Sequence, residues 1–295
     1  MNHVATLIDA SGVLEPSVLG HARSLLANTG APQMLGPDAA DIPFNAENAF
    51  DKDALDQRLR GIASGIDVVV QPLSGRRKKL LLADMDSTMI GQECIDELAA
   101  FVGQKAHVAA ITERAMRGDI AFEPALRERV ALLKGVPISV IEDLLRDRIS
   151  LTPGARTLVA TMRANGAYTC MVSGGFTLFT DRISATIGFD SCRANILVIA
   201  DGNKLAGEVV NPIFGRDAKR DALLELRKKF ELTKLDTMAI GDGANDLDML
   251  LEAGLGVAYH GKPKVAAAAP ARIDHCDLTA LLYVQGYNRS EFTGF

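Results

Sequence analysis

The chain has 295 residues, 48% of them hydrophobic and 23% charged, with a formal net charge of −5. That is enough to bury a sizeable core, and the acidic balance with a single four-residue basic cluster, Arg76-Arg77-Lys78-Lys79, argues against a nucleic-acid partner. No stretch approaches the ~18 consecutive apolar residues of a membrane helix, and residues 1–14 lack the basic start of a signal peptide.

Residues 1–73 carry strand signals at 4–8 and 67–70 and helix signals at 17–27 and 52–62. They predict a small N-terminal α+β domain without a catalytic cluster. Residues 74–79 read as a solvated linker holding the basic cluster. Leu80-Leu81-Leu82-Ala83 then forms a short apolar run that ends in Asp84. It suits a strand buried on both faces of a parallel sheet. Four helical patterns follow without a strand between them, at 95–102, 108–117, 123–134 and 138–148. They interrupt the βαβ rhythm and predict a helical cap, residues 92–150, placed over a strand end. From Pro153 the rhythm resumes. Helix 154–164 leads to strand 167–172 and Ser173-Gly174-Gly175; helix 177–187 and a hairpin at 194–210 follow. Helix 217–230 leads to strand 237–240 and Gly241-Asp242-Gly243; helix 246–252, strand 256–259 and helix 278–284 finish the chain. Residues 80–91 and 151–295 thus form one α/β core. Cys94, Cys170, Cys192 and Cys276 make no CxxC pair and read as reduced, buried thiols, the pattern of a cytoplasmic protein.

Ligands of open α/β sheets bind beyond the carboxyl ends of the strands. Three predicted strands here end in polar residues: Asp84, Ser173 and Asp242. In Asp84-Met85-Asp86-Ser87-Thr88 the two carboxylates fit separate tasks, although an isolated Asp-X-Asp is more often a cap and a turn residue. Asp84 suits a nucleophile that forms an aspartyl-phosphate. Asp86 suits the acid that protonates a leaving oxygen and the base that then activates water. In Met171-Val172-Ser173-Gly174-Gly175-Phe176, the Ser173 hydroxyl and the Gly174 N–H suit the oxygens of a phosphate. Lys219 suits neutralisation of the attacking carboxylate and the phosphate. Gly241-Asp242-Gly243-Ala244-Asn245-Asp246 is rich in oxygen ligands and lacks the spacing of a calcium loop. The expected Mg²⁺ ligands are Asp84, Asp242 and the backbone carbonyl of Asp86. Asp246 is expected behind them, orienting Lys219 or a water, and Asn245 beside the phosphate or substrate.

These four elements, in this order, resemble the haloacid-dehalogenase-like hydrolase superfamily. The resemblance implies a Rossmann-like core with a mobile cap, and Mg²⁺ bridging nucleophile and phosphate. Glu93-Cys94-Ile95-Asp96-Glu97, Thr112-Glu113-Arg114-Ala115-Met116-Arg117-Gly118 and residues 126–134 further resemble the cap of the phosphoserine phosphatase family. The match runs from about residue 80 to about 290. It implies O-phospho-L-serine as substrate, in the last step of phosphorylated serine biosynthesis. It assigns Glu93 to the substrate amine, Arg129 to its carboxylate, and Ser173, Gly174, Lys219 and Asn245 to the phosphate. Bacterial members often carry an ACT-like domain ahead of the core, and the α+β pattern of residues 1–73 is compatible with one.

Other readings stay open at this stage. A phosphotransferase shares the aspartyl-phosphate chemistry, and phosphothreonine or phosphohomoserine would suit a similar cap. A P-type ATPase would need a lysine after the nucleophile and membrane helices. A catalytically dead amino-acid sensor would leave catalytic positions unfilled, and all are filled here. Oligomeric state is open, a homodimer included.

Overall fold

The computed structural model describes residues 1–46, 50–117 and 119–294, and leaves out the side chains of Met116 and Arg117. Gly118, the end of one of the cap segments above, lies outside the described residues. The chain opens with β1 (His3–Asp9), α1 (Pro16–Leu25), β2 (Gln33–Met34), β3 (Ala39–Phe44), α2 (Lys52–Arg60) and β4 (Ile66–Pro72). Their sheet runs β2-β3-β1-β4 with every pair antiparallel, the split βαβ order of a ferredoxin-like unit. Along β4, Val68 and Val70 pack in the layer with the helices, while Val69 joins the main core. The sequence signals miss β2 and β3. β2 has two residues, and β3 is buried throughout, so it shows no alternation.

The second unit contains β5 (Leu80–Ala83), α3 (Cys94–Phe101), α4 (Lys105–Arg117), α5 (Phe122–Ala131), α6 (Ser139–Asp147) and α7 (Ala155–Ala164). It continues through β6 (Tyr168–Phe176), α8 (Thr177–Ile187), β7 (Ser191–Asn195), β8 (Leu197–Ala200), β9 (Lys204–Val209) and α9 (Arg216–Lys229). It closes with β10 (Thr237–Gly241), α10 (Leu247–Glu252), β11 (Leu255–Tyr259), α11 (Pro263–Ala268), β12 (Ala271–Ile273) and α12 (Ala280–Val284). Six strands form a parallel sheet in the order β12-β11-β10-β5-β6-β7. This is the doubly wound order, and it reverses between β5 and β10, where a crevice opens past the strand ends. Leu80 and Leu82 pack in the layer with Leu223 and Leu226 of α9; Leu81 and Ala83 pack in the layer with Leu158 of α7 and Phe179 of α8. Burial on both faces is why β5 reads as an unbroken apolar run.

Two expectations need correction. The 194–210 hairpin is shorter: β7 is a parallel edge strand of the main sheet, and only β8 and β9 pair with each other. That hairpin docks on the helical insertion. The Gly135 N–H donates to the Leu205 carbonyl at 2.8 Å, and the Ile138 N–H to that of Asn203 at 2.9 Å. The helical insertion is therefore braced by residues far beyond 150. The basic cluster is also only partly solvated: the side chains of Arg77 and Lys79 are exposed, whereas those of Arg76 and Lys78 are buried. Arg76 donates to Asp41, Thr6 and the carbonyls of Tyr283 and Val284, and buried Lys78 donates to the carbonyls of Gly75 and Leu235. Arg77 stacks on Tyr287 and pairs with Glu291. Arg76 thus fastens the N-terminal sheet to the core, a task that only long-range contacts reveal. All four cysteines are free; Cys94, Cys170 and Cys276 are buried, and Cys192 is half-buried. No described helix is long and apolar enough to cross a membrane.

Candidate active site

Asp84 is the first residue past β5. Its N–H still donates to the Ile240 carbonyl of β10 at 3.0 Å, which places its carboxyl in the crevice between the two strands. Its Oδ1 accepts the Met85 N–H at 2.7 Å and lies 2.7 Å from Lys219 Nζ. Lys219 stands in the first turn of α9, fully buried, and also meets Asp246 Oδ1 at 2.7 Å. Asp246 Oδ2 accepts the Gly243 N–H at 3.0 Å. Gly241 has to be glycine, because a Cβ there would run into the Asp246 carboxylate. Asp242, just past β10, is 3.2 Å from Lys262 Nζ through Oδ2, and Thr88 Oγ1 lies 3.4 Å from its Oδ1.

The electrostatics follow from burial. Carboxylate oxygens of Asp84, Asp242 and Asp246 gather within 4.8 Å of one another, and all three residues are buried. Burial, then the Asp246 charge, pushes Asp84 well above the usual carboxylate range, against the pull of Lys219. Burial likewise raises Asp242. Burial opposes the charge on Lys219, but Asp246 and Asp84 overcome it and hold its pKa above the ordinary lysine value. Three buried carboxylates around one buried ammonium leave negative charge uncompensated, and a bound cation would supply the missing charge.

Asp86 accepts the Cys94 N–H at 3.1 Å. Burial, then the Glu93 charge, pushes it up to about 7. Ser87 between them takes a left-handed backbone, φ 55°, and its hydroxyl donates to Glu93 Oε1 at 2.8 Å. On β6, the Ser173 hydroxyl is fully buried and accepts the Gly175 N–H at 2.8 Å, which still leaves it a proton to donate. Gly174 and Gly175 open on the cavity, whereas Ser173, Lys219 and Asp246 stand beneath it. A Cβ on Gly175 would meet the carboxyl of Asp86 and the hydroxyl of Ser173 at 3.0 Å.

The cavity has a volume of about 740 Å³. Asp84, Asp86, Asp242 and Asn245 line its floor, and Glu93, Thr112, Phe122 and Arg129 its roof. Arg129 comes from α5; its Nε donates to the Ala125 carbonyl at 3.2 Å, and its Nη1 lies 3.4 Å from Thr112 Oγ1. Burial lowers its pKa, while the Asp96 and Glu93 charges support the cation. Every site residue expected from the sequence therefore lies in or directly under one crevice.

Sequence reasoning misses four residues here. Lys262 follows β11, a fourth strand whose end also faces the crevice, so the strand-end rule could have found it. Buried Asn195 joins the carbonyls of Gly174 and Phe214 through Nδ2 at 2.9 and 3.0 Å, tying the glycine loop to the approach of α9. Thr112 and Phe122 sit on amphipathic helices, where nothing in the pattern separates a roof residue from a packing one.

Residues 81–251 match the haloacid dehalogenase-like hydrolase family. A phosphoserine phosphatase of a Polaromonas species is 47% identical over 209 residues, covering 69% of this chain and 88% of that protein. The crystal structure of a HAD family hydrolase from Salmonella enterica serovar Typhi superposes with a TM-score of 0.86 at 28% identity, covering 96% of this chain and 97% of that one. A phospho-aspartyl intermediate analogue of a phosphoserine phosphatase gives a TM-score of 0.65 at 38% identity, over 70% of this chain and 98% of that one. The chain belongs to the haloacid dehalogenase-like hydrolase family, on the branch of the phosphoserine phosphatases.

Proposed function

We propose that the protein hydrolyses O-phospho-L-serine to L-serine and phosphate through an aspartyl-phosphate on Asp84. The observation that carries this reading is one cavity holding two kinds of residue. Buried Asp84 and Asp242, with half-buried Asp86, face Glu93 and Arg129, a carboxylate and a guanidinium suited to an ammonium and a carboxylate. The names of the Polaromonas enzyme and of the intermediate analogue support the same substrate and the same covalent step.

Asp84 attacks phosphorus, and the P–O bond to the serine oxygen breaks. Asp86, whose raised pKa keeps a proton available near neutrality, protonates that oxygen as it leaves. The same carboxylate then takes a proton from water, which attacks phosphorus and frees Asp84. Lys219 holds the Asp84 carboxylate in place and offsets the approach of two like charges. The Ser173 hydroxyl, the Gly174 N–H and Asn245 receive the phosphate oxygens. The donor set fits Mg²⁺: hard oxygens, few carboxylates, and uncompensated buried charge. Asp84, Asp242 and the Asp86 carbonyl would hold it, with Asp246 kept on Lys219 and the Gly243 N–H. When bound, the ion adds charge neutralisation between nucleophile and phosphate.

The test is phosphate release from a panel of phosphorylated metabolites, with Mg²⁺ and again with EDTA. Phosphoserine should lead the panel and EDTA should abolish release. A lead by phosphothreonine, phosphohomoserine or a sugar phosphate would overturn the substrate, and full activity in EDTA would overturn the metal.

A further inference from the structure

Two lysines touch the carboxylate cluster, and they are held in different ways. Lys219 is fully buried, with two contacts at 2.7 Å, and cannot leave without stranding Asp84 and Asp246. Among the described residues, the Lys262 ammonium pairs with Asp242 Oδ2 at 3.2 Å, and its side chain is 52% exposed. Its backbone is pinned: its N–H donates to the Asp242 carbonyl at 3.0 Å. The turn before it is also fixed, since the His260 N–H donates to the Ile273 carbonyl at 2.8 Å and His260 Nε2 lies 2.9 Å from the Cys276 carbonyl. A fixed Cα with a long, half-exposed side chain is a tethered cation, free to change partner. A second partner lines the same cavity: the Glu93 carboxylate, whose charge Lys262 already offsets.

We propose that Lys262 competes with the divalent cation for the Asp242 carboxylate, and so sets how weakly the site holds its metal. This rests on the reading of Asp84 and Asp242 as metal ligands. An oxygen paired with an ammonium is less available to a dication, and the two like charges repel. When the ion takes Asp242, the Lys262 ammonium turns towards Glu93. Lys262 is then a positioning residue for the metal ligand, and replacing it should strengthen metal binding, whereas loss of a purely structural contact would weaken it.

The test is Mn²⁺ binding to the full chain without substrate, read by electron paramagnetic resonance of free Mn²⁺. Lys262→Met keeps most of the stem and removes the charge. It should bind Mn²⁺ about three- to tenfold more tightly, the size of a partly exposed ion pair plus the lost repulsion. Lys262→Arg keeps the charge and should stay within about twofold of the unaltered protein. The rise in Tm on adding Mn²⁺ should be larger for Lys262→Met than for the unaltered chain, and Lys262→Gln serves the same readouts if the methionine variant does not fold. Unchanged or weaker binding by the uncharged variants overturns the proposal, as does equal tightening by Lys262→Arg. Absence of Mn²⁺ binding by the unaltered protein would instead remove the metal reading itself, and this inference with it.

Discussion

The floor and the roof of the cavity are built to different standards. Under the floor, Lys219 is buried and meets both Asp84 and Asp246 at 2.7 Å; Asp84 stands at the end of a parallel strand, Lys219 on α9 and Asp246 just before α10. In the roof, Arg129 donates to its own helix carbonyl at 3.2 Å and lies 3.4 Å from the Thr112 hydroxyl, and Phe122 is partly exposed. The charge pattern for phosphoryl transfer is in place before substrate arrives, which is how electrostatic catalysis avoids reorganisation during reaction. Of the groups suited to read the amino acid, Glu93 accepts the Ser87 hydroxyl at 2.8 Å, and Arg129 is held by the longer contacts. Losses in the roof should be selective for substrate.

Variants should break that contrast along its own line. Asp84→Asn removes the nucleophile and should abolish turnover of every phosphomonoester; near-normal phosphoserine hydrolysis by this variant would exclude a covalent route through Asp84. Asp86→Asn should slow phosphoserine by about 10²–10⁴-fold, and a loss under about threefold would remove it from acid–base work. Arg129→Ala should cost phosphoserine about 2–5 kcal/mol in kcat/KM, the price of stripping a charged pair, while p-nitrophenyl phosphate is much less affected. Equal losses on both substrates would argue against a carboxylate grip. Lys219→Met acts on the floor as a whole: it leaves two buried carboxylates without their partner and should destabilise the metal-free protein by about 3–5 kcal/mol, measured by denaturant unfolding.

The smallest expected effect concerns pH. Asp86 is raised to about 7, so its acid form is present below that value and lost as pH rises through it. Attack on phosphoserine, which needs the acid, should decline above about pH 7 in single-turnover measurements. Attack on p-nitrophenyl phosphate, whose leaving group needs no proton, should not decline there. Parallel profiles for the two substrates would assign the acid to another group.

The same contrast explains what could be read from the sequence. Floor residues sit at strand ends, where a run such as Leu80–Ala83 stops abruptly at Asp84, and the alternation of apolar strand and polar terminus is local. Arg129 borders the apolar residues Leu126 and Val130 of α5, but on that ground alone it reads as a surface charge, and only the family resemblance assigns it to the substrate carboxylate. Asn195 is not legible, since its role depends on reaching Gly174 and Phe214, both about twenty residues away. The β8–β9 hairpin reads as a hairpin but not as one packed on the helical insertion, because its bonds to residues 135–138 span a long stretch of chain. Arg76 and Lys78 mislead for the opposite reason: a charge run normally lies in water, and here Asp41, Thr6 and α12 enclose Arg76 while Lys78 reaches the Gly75 and Leu235 carbonyls.

The central claim is the covalent step on Asp84, and borohydride trapping tests it most directly. Enzyme mixed with phosphoserine and Mg²⁺ and quenched into borohydride should have its acyl phosphate reduced, leaving homoserine at position 84 in the peptide mass spectrum. The account predicts that product at position 84 only, dependent on both substrate and metal. An unmodified Asp84 under conditions of active turnover, or reduction at another carboxylate, would contradict it.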